Sequence, residues 1–229
     1  MMELIAAHRR ALADALTQLS AEQWHGASLC AGWTPAHVIA HQTMPFRLSE
    51  AEFMAGMQRC GGDFTKYSDE IAERDSHIPP SELIAVLREN VENPWAPPGG
   101  GLAGALSHDV IHGLDVTWLP GLAYEIPVEA TTMVLGSITG PLALPDDAVV
   151  AADVRPGAGH TTVFGFPLDG IKVSATDLDW SAGQGAELRG RSRDLLPLLA
   201  GRKISRELFS GPGADRTWSL VSELGTVKL

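Results

Sequence analysis

Cysteine, positive charge and long apolar runs are all scarce in this chain, and each shortage removes a class of protein. The two cysteines, Cys30 and Cys60, among 229 residues cannot build a disulfide framework, so free thiols are expected. Lys and Arg total 17 against 28 Asp and Glu, a formal charge of −11 that repels phosphate backbones, and no basic run is interleaved with aromatics. Nucleic acid is therefore not an expected partner. No apolar stretch approaches the roughly 18 residues of a membrane span, so no membrane partner is expected either. The opening Met1-Met2-Glu3-Leu4-Ile5-Ala6-Ala7-His8-Arg9-Arg10 does not run from a charged to an apolar region as a signal peptide does. A reduced, cytoplasmic protein is the expectation.

What is present is an ordinary globular composition, 45% hydrophobic and 20% charged, long enough for one large or two small domains. Apolar residues Leu4, Ile5, Ala11, Leu12, Leu16 and Leu19 predict a first helix, with His8, Arg9, Arg10 and Asp14 largely between them. Thr34 as N-cap and Pro35 at the first helical position predict a second helix over 35–60, kinked or broken at Pro45 and ended by Gly61-Gly62. Further helices are predicted from Thr65 to Arg74, over 81–93, over 102–118 after the loop Pro97-Pro98-Gly99-Gly100-Gly101 and up to Leu119-Pro120-Gly121, and from Val128 to Ile138. The polar residues Asp69, Glu70, Glu73 and Arg74 read as a solvated face.

Beyond Gly140-Pro141 the period changes. Short β-type runs at Val149-Val150, Thr161 to Phe166, Ile171 to Thr176 and Ala186 to Leu188 predict a small antiparallel sheet, followed by a helix from Ser192 to Leu199 and a short one around Trp218. The fold class expected is α+β. A four-helix bundle over 1–140 precedes a small α/β domain over 141–229.

Four of the eight histidines fall in two five-residue windows, His37 to His41 and His108 to His112. At roughly 100° per residue, His108, His112 and Asp115 project from one helix face, so two imidazoles can share a metal while the Asp holds a ring N–H. One such pair alone is more often two partly exposed helix residues; two pairs on different bundle helices make a joint site credible. Three neutral imidazoles with an open fourth position suit Zn²⁺ first, and Ni, Cu or Fe are compatible. His108-Asp109-Val110-Ile111-His112 also invites comparison with the H-E-x-x-H of zinc peptidases, but the base would be the shorter Asp109 and no downstream third ligand is evident. No G-x-S-x-G elbow supports Ser-His-Asp catalysis, and the Gly-rich segments do not link a strand to a helix as a phosphate loop does.

Cys30-Ala31-Gly32-Trp33-Thr34-Pro35 leading to Ala40-His41, together with His112-Gly113-Leu114-Asp115, resembles the DinB superfamily, in its branch of mycothiol-dependent maleylpyruvate isomerases. Ala175-Thr176-Asp177, Trp180, Gly183, Gly185, Asp194-Leu195-Leu196 and Leu199-Ala200-Gly201-Arg202 resemble the small C-terminal domain of that branch. The resemblance implies His41, His108 and His112 as metal ligands, with His108 standing where the isomerases carry Glu. It implies His37, where the family usually has Asp, and Asp115 as residues that support the ligands. Arg202 is implied as the catalytic-site arginine that orients a substrate carboxylate, with Arg189, Arg191, Arg193 and Arg206 as competitors.

The resemblance further implies a divalent metal, zinc before nickel or iron, and mycothiol or another low-molecular-weight thiol that attacks a small electrophile. Replacing Glu by His at position 108 makes the site one charge more positive, which separates it from the maleylpyruvate-type substrate. The leading expectation is a thiol-dependent S-transferase or isomerase. A metal-dependent hydrolase or lyase on the same three histidines, and a bundle that binds a metal or small molecule without turnover, are the alternatives. Bundles of this kind often pair through an exposed helix face, so a homodimer is compatible.

Overall fold

The computed structural model describes residues 1–118, 122, 124–140 and 161–224. Among them are ten α-helices: α1 (Met2–Leu16), α2 (Ala21–His25), α3 (Pro35–Arg47), α4 (Glu50–Arg59), α5 (Phe64–Asp75), α6 (Pro80–Glu89), α7 (Gly101–Thr117), α8 (Val128–Thr139), α9 (Ser192–Leu199) and α10 (Gly213–Leu224). Three strands accompany them: β1 (Ile171–Ala175), β2 (Ser181–Gly183) and β3 (Ala186–Gly190). The expected strand at Val149-Val150, the helix stop at Leu119-Pro120-Gly121 and Pro141 of the expected domain boundary lie outside the described residues. Two compact units are present, one of Met1–Trp95 with His112–Glu125 and one of Ala96–Ile111 with Ile126–Val227, so the division falls inside α7.

In the first unit α1 packs on α6, α3 packs on α5 and α6, α2 lies on α3 and α4 on α5. Ile5, Leu12 and Leu16 of α1, Val38 and Ile39 of α3 and Leu83 and Leu87 of α6 are buried, each stabilising the fold by about 1.5–3 kcal/mol. His8 and Arg9, expected between the apolar residues of α1, are instead fully buried. Arg9 Nη1 donates to the carbonyls of Asn90 (3.0 Å) and Asn93 (2.7 Å), and its guanidinium lies 5.0 Å from the centre of the Phe46 ring. A cation on carbonyls just past the end of α6 satisfies groups that the helix itself leaves open.

The helix expected over 35–60 is two helices. Pro45 withholds the N–H that the His41 carbonyl would accept, α3 ends at Arg47, and Leu48 is extended (φ −103°, ψ 138°). Ser49 then starts α4 with a reciprocal cap, its hydroxyl accepting from Glu52 N and the Glu52 carboxylate accepting from Ser49 N. The same device, Ser20 with Gln23, starts α2.

In the second unit the sheet order is β2-β1-β3, and it is mixed rather than antiparallel. β2 runs back along β1 with Val173 opposite Ala182, and β3 then pairs parallel to β1 with Val173 opposite Leu188. The direction follows from the connection: residues 184–185 pass beneath the start of β1 to its other edge instead of turning back. That passage is tight. A Cβ on Gly185 (φ +124°) would meet the Gly170 carbonyl oxygen at 2.3 Å, and one on Gly183 (φ +77°) would meet that of Ile171 at 2.3 Å. Thr161 to Phe166 is no strand; it contributes a single bridge, Thr161 to Pro167. Helix α8 packs on α9, and α10 on β3 and β1.

Candidate metal centre

Loop residues 28–33 lead into α3 through a turn closed by Trp33 N donating to Cys30 O (3.0 Å), and Leu29 N donates to the carbonyl of Asp115 (3.0 Å). Pro35 then sits at the first helical position behind the N-cap Thr34, whose hydroxyl accepts from His37 N. His37 closes the cap: its Nδ1 lies 2.7 Å from Thr34 Oγ1 and 3.4 Å from Thr34 N, while Nε2 lies 2.9 Å from Glu73 Oε2. The bond from His37 holds the Glu73 carboxyl below its ordinary value. His37 is thus bound to the helix start and to α5. One turn on, His41 is buried (3% exposed), and the oxygen on its Nδ1 is Ser68 Oγ of α5, at 2.8 Å.

Helix α7 runs unbroken through Ser107 to Thr117 and carries the other two imidazoles one turn apart. His112 Nδ1 lies 3.0 Å from Asp115 Oδ2, with both side chains buried. His108 Nδ1 lies 3.1 Å from Asp109 Oδ1. An ionised carboxylate only accepts, so in these two rings Nδ1 is the donor, which in a neutral imidazole leaves the lone pair on Nε2. The hydroxyl at His41 Nδ1 accommodates the same tautomer.

Nitrogens of His41, His108 and His112 all lie within 4.8 Å of one another. In a tetrahedral zinc site with Zn–N near 2.05 Å they would be about 3.3 Å apart, so the rings need only draw in. The donor set fits a divalent ion of zinc type: three neutral imidazoles, each with its far nitrogen on an oxygen, the arrangement that orients a ligating His. The His41 and His112 rings meet edge to face, centroids 4.8 Å apart, and the Trp33 ring lies 5.2 Å from His41 and 6.4 Å from His112. Trp33 Nε1 donates to Asp69 Oδ1 (2.9 Å). Buried walls of this kind exclude water and raise the weight of every charge inside them.

Ser68 and Asp69 join the site without having been expected there, and Asp109, weighed in the sequence only as the base of a peptidase-type motif, instead holds His108. Glu70, Glu73 and Arg74 are exposed and Asp69 is half-buried, the solvated face that was expected, and the three carboxylates also tie α5 to its neighbours, Glu70 accepting from Arg59 (2.8 Å). Gly113 owes its place to close approach: a Cβ there would meet His8 Cε1 at 3.0 Å and Nε2 at 3.1 Å. His8 in turn is held by Tyr124, hydroxyl to Nδ1 at 2.5 Å. In the C-terminal part Arg202 is 1% exposed with Nη1 donating to Ala200 O (3.1 Å), whereas Arg189, Arg191 and Arg206 are exposed.

Residues 5–93 match the family model described as the mycothiol maleylpyruvate isomerase N-terminal domain. Two crystal structures share the fold. The mycothiol-dependent maleylpyruvate isomerase superposes with a TM-score of 0.56 at 16% identity, covering 93% of this chain and 92% of that one. A mutant of that enzyme gives a TM-score of 0.55 at the same identity and coverage. No curated protein matches the chain.

Proposed function

We propose, from the match of residues 5–93 to the mycothiol maleylpyruvate isomerase N-terminal domain model, that this protein is a metal- and thiol-dependent S-transferase or isomerase acting on a small electrophile. The observation that carries the proposal is the meeting of His41, His108 and His112, each with Nδ1 on an oxygen. These three would hold the ion through Nε2. A divalent ion there supplies Lewis acidity that keeps a thiol cosubstrate deprotonated near neutral pH. Asp115 and Asp109 hold the Nδ1 protons of His112 and His108 and so fix both rings, and Ser68 does the same for His41. Trp33 closes one wall against water. We read α1, α3, α6 and α7 as the four helices of the bundle that carries the site, and retain 1–140 and 141–229 as its domains.

Having His at position 108 where the isomerases carry Glu makes the site one charge more positive, so their substrate is not carried over to this protein. Arg202 is assigned, on the family resemblance alone, the orientation of a substrate carboxylate, for which a guanidinium fork is suited.

Elemental analysis of the purified protein is expected to find about one equivalent of a divalent ion, lost in His41→Ala and His112→Ala. Screening the loaded protein with mycothiol and electrophiles then separates the readings: turnover that requires the thiol supports the transferase, and turnover without it points to the hydrolase. A metal-free protein that also refuses added Zn²⁺, Ni²⁺ and Fe²⁺ sinks the catalytic reading.

A further inference from the structure

The side chains touching the His41 ring include Trp33, His112, Ser68 and Phe64, three rings and a hydroxyl. The first three are 6%, 1% and 1% exposed, whereas Phe64 is 40% exposed. Its ring stands edge-on to the imidazole, centroids 6.4 Å apart at 65°. Phe64 therefore reaches from solvent to a buried imidazole.

Its position is fixed by the chain. Phe64 is the first residue of α5, directly after Asp63, whose carboxylate accepts from Lys66 N (2.9 Å) and caps the helix. The adjoining apolar cluster of Met44, Cys60, Tyr67 and Ile71 takes in Phe53 and Met57 at its edge, and Phe64 lies beyond Phe53 with centroids 6.5 Å apart. What sets Phe64 apart from the other exposed apolar side chains is its place: it lies outside the core cluster and its ring edge meets the imidazole of His41.

The geometry points to Phe64 as a specificity-determining residue: the apolar part of the thiol packs on this ring while its sulfur sits at the imidazoles. The inference rests on the metal and thiol reading above. It selects thiols that carry an aromatic or branched apolar group next to the sulfur over compact and multiply charged ones. No catalytic step is asked of Phe64; it contributes contact area, and half-exposed at a helix start it can be truncated without opening the core.

The test uses the full chain loaded with Co²⁺ and titrated with phenylmethanethiol or 2-mercaptoethanol, with binding followed in the visible absorption of the cobalt. The wild type is expected to bind phenylmethanethiol about tenfold more tightly than 2-mercaptoethanol, since the phenyl group leaves water for the Phe64 face. Phe64→Ala should erase that preference and leave 2-mercaptoethanol within about twofold, while Phe64→Leu should keep part of it. A preference that survives in Phe64→Ala, or a wild type that binds both thiols alike, overturns the assignment. Failure to take up Co²⁺ at all is a separate result: it removes the metal reading, and this inference with it.

Discussion

Ser68 Oγ of α5 lies 2.8 Å from Nδ1 of His41 on α3, so the ring carried by one helix is oriented by another. Ser68→Ala leaves that nitrogen without the hydroxyl in a buried place. Zinc affinity, measured by competition with a chromophoric chelator, should fall about 10–100-fold while the fold, read by circular dichroism, is kept. Ser68→Thr retains a hydroxyl and should recover most of the loss. Equal affinity in Ser68→Ala and wild type would falsify the orienting role.

Gly113 lies against the buried His8 ring, itself fixed by Tyr124. Gly113→Ala should destabilise the protein by about 1–3 kcal/mol, seen as a lower urea midpoint at unchanged slope. In a double-mutant cycle with His8→Ala the two changes should be strongly non-additive, because removing the ring removes the clash. Simple additivity would place the cause of the loss elsewhere.

Asp75 ties α3 to α5 through Arg47 and also pairs with Arg74; Arg47 Nη2 in addition donates to the carbonyl of Ala40 (2.6 Å). Burial pushes the Asp75 carboxyl up, but the bonds from Arg74 and Arg47 outweigh it and hold the group below its ordinary value. The unfolded chain then binds the proton more readily than the folded one, so this stabilisation is complete above the ordinary Asp range and is lost as pH falls through the lowered value. Asp75→Asn should cost about 3 kcal/mol at neutral pH, because Arg47 is left uncompensated, and should flatten the acid limb of the stability curve. A variant whose acid limb is as steep as that of the wild type would assign the limb to other carboxylates.

Chelation tests the ion as a structural element as well as a chemical one. An ion held at about 100 times its Kd stabilises the native state by about 2.7 kcal/mol, so stripping it should lower the melting temperature by about 5–10 °C. His112→Ala should melt alike with and without chelator. Should the wild type also be indifferent to chelator, the imidazoles bind no ion in the native state.

The α7 part of the site was legible in the chain because helical spacing alone puts His108, His112 and Asp115 on one face. Ser68 was not, since its approach to His41 depends on how α5 crosses α3, and no spacing within either helix contains that. The role of His37 was hidden by residue type: Thr34-Pro35-Ala36-His37 has the spacing of a reciprocal helix cap, with an imidazole where Glu or Gln is customary. Ser49-Glu50-Ala51-Glu52 carried the usual signal and marks the break after Pro45. Strand positions at Ile171 and Ala186 could be read, but the direction of β3 is set by the passage of residues 184–185 beneath β1, which short apolar runs do not encode.

That same passage sets where the chain can change length. The tip of the connection between β1 and β2, residues 178–179, can lengthen outward, while Thr176 N stays on Gly190 O, Asp177 on Ser192 and Trp180 O on Ala175 N. Residues 184–185 have no such room, because their backbone lies against that of Gly170. Insertions and deletions among relatives of this domain should therefore collect in the first connection and be absent from the second, leaving Gly183 and Gly185 at a fixed spacing ahead of β3.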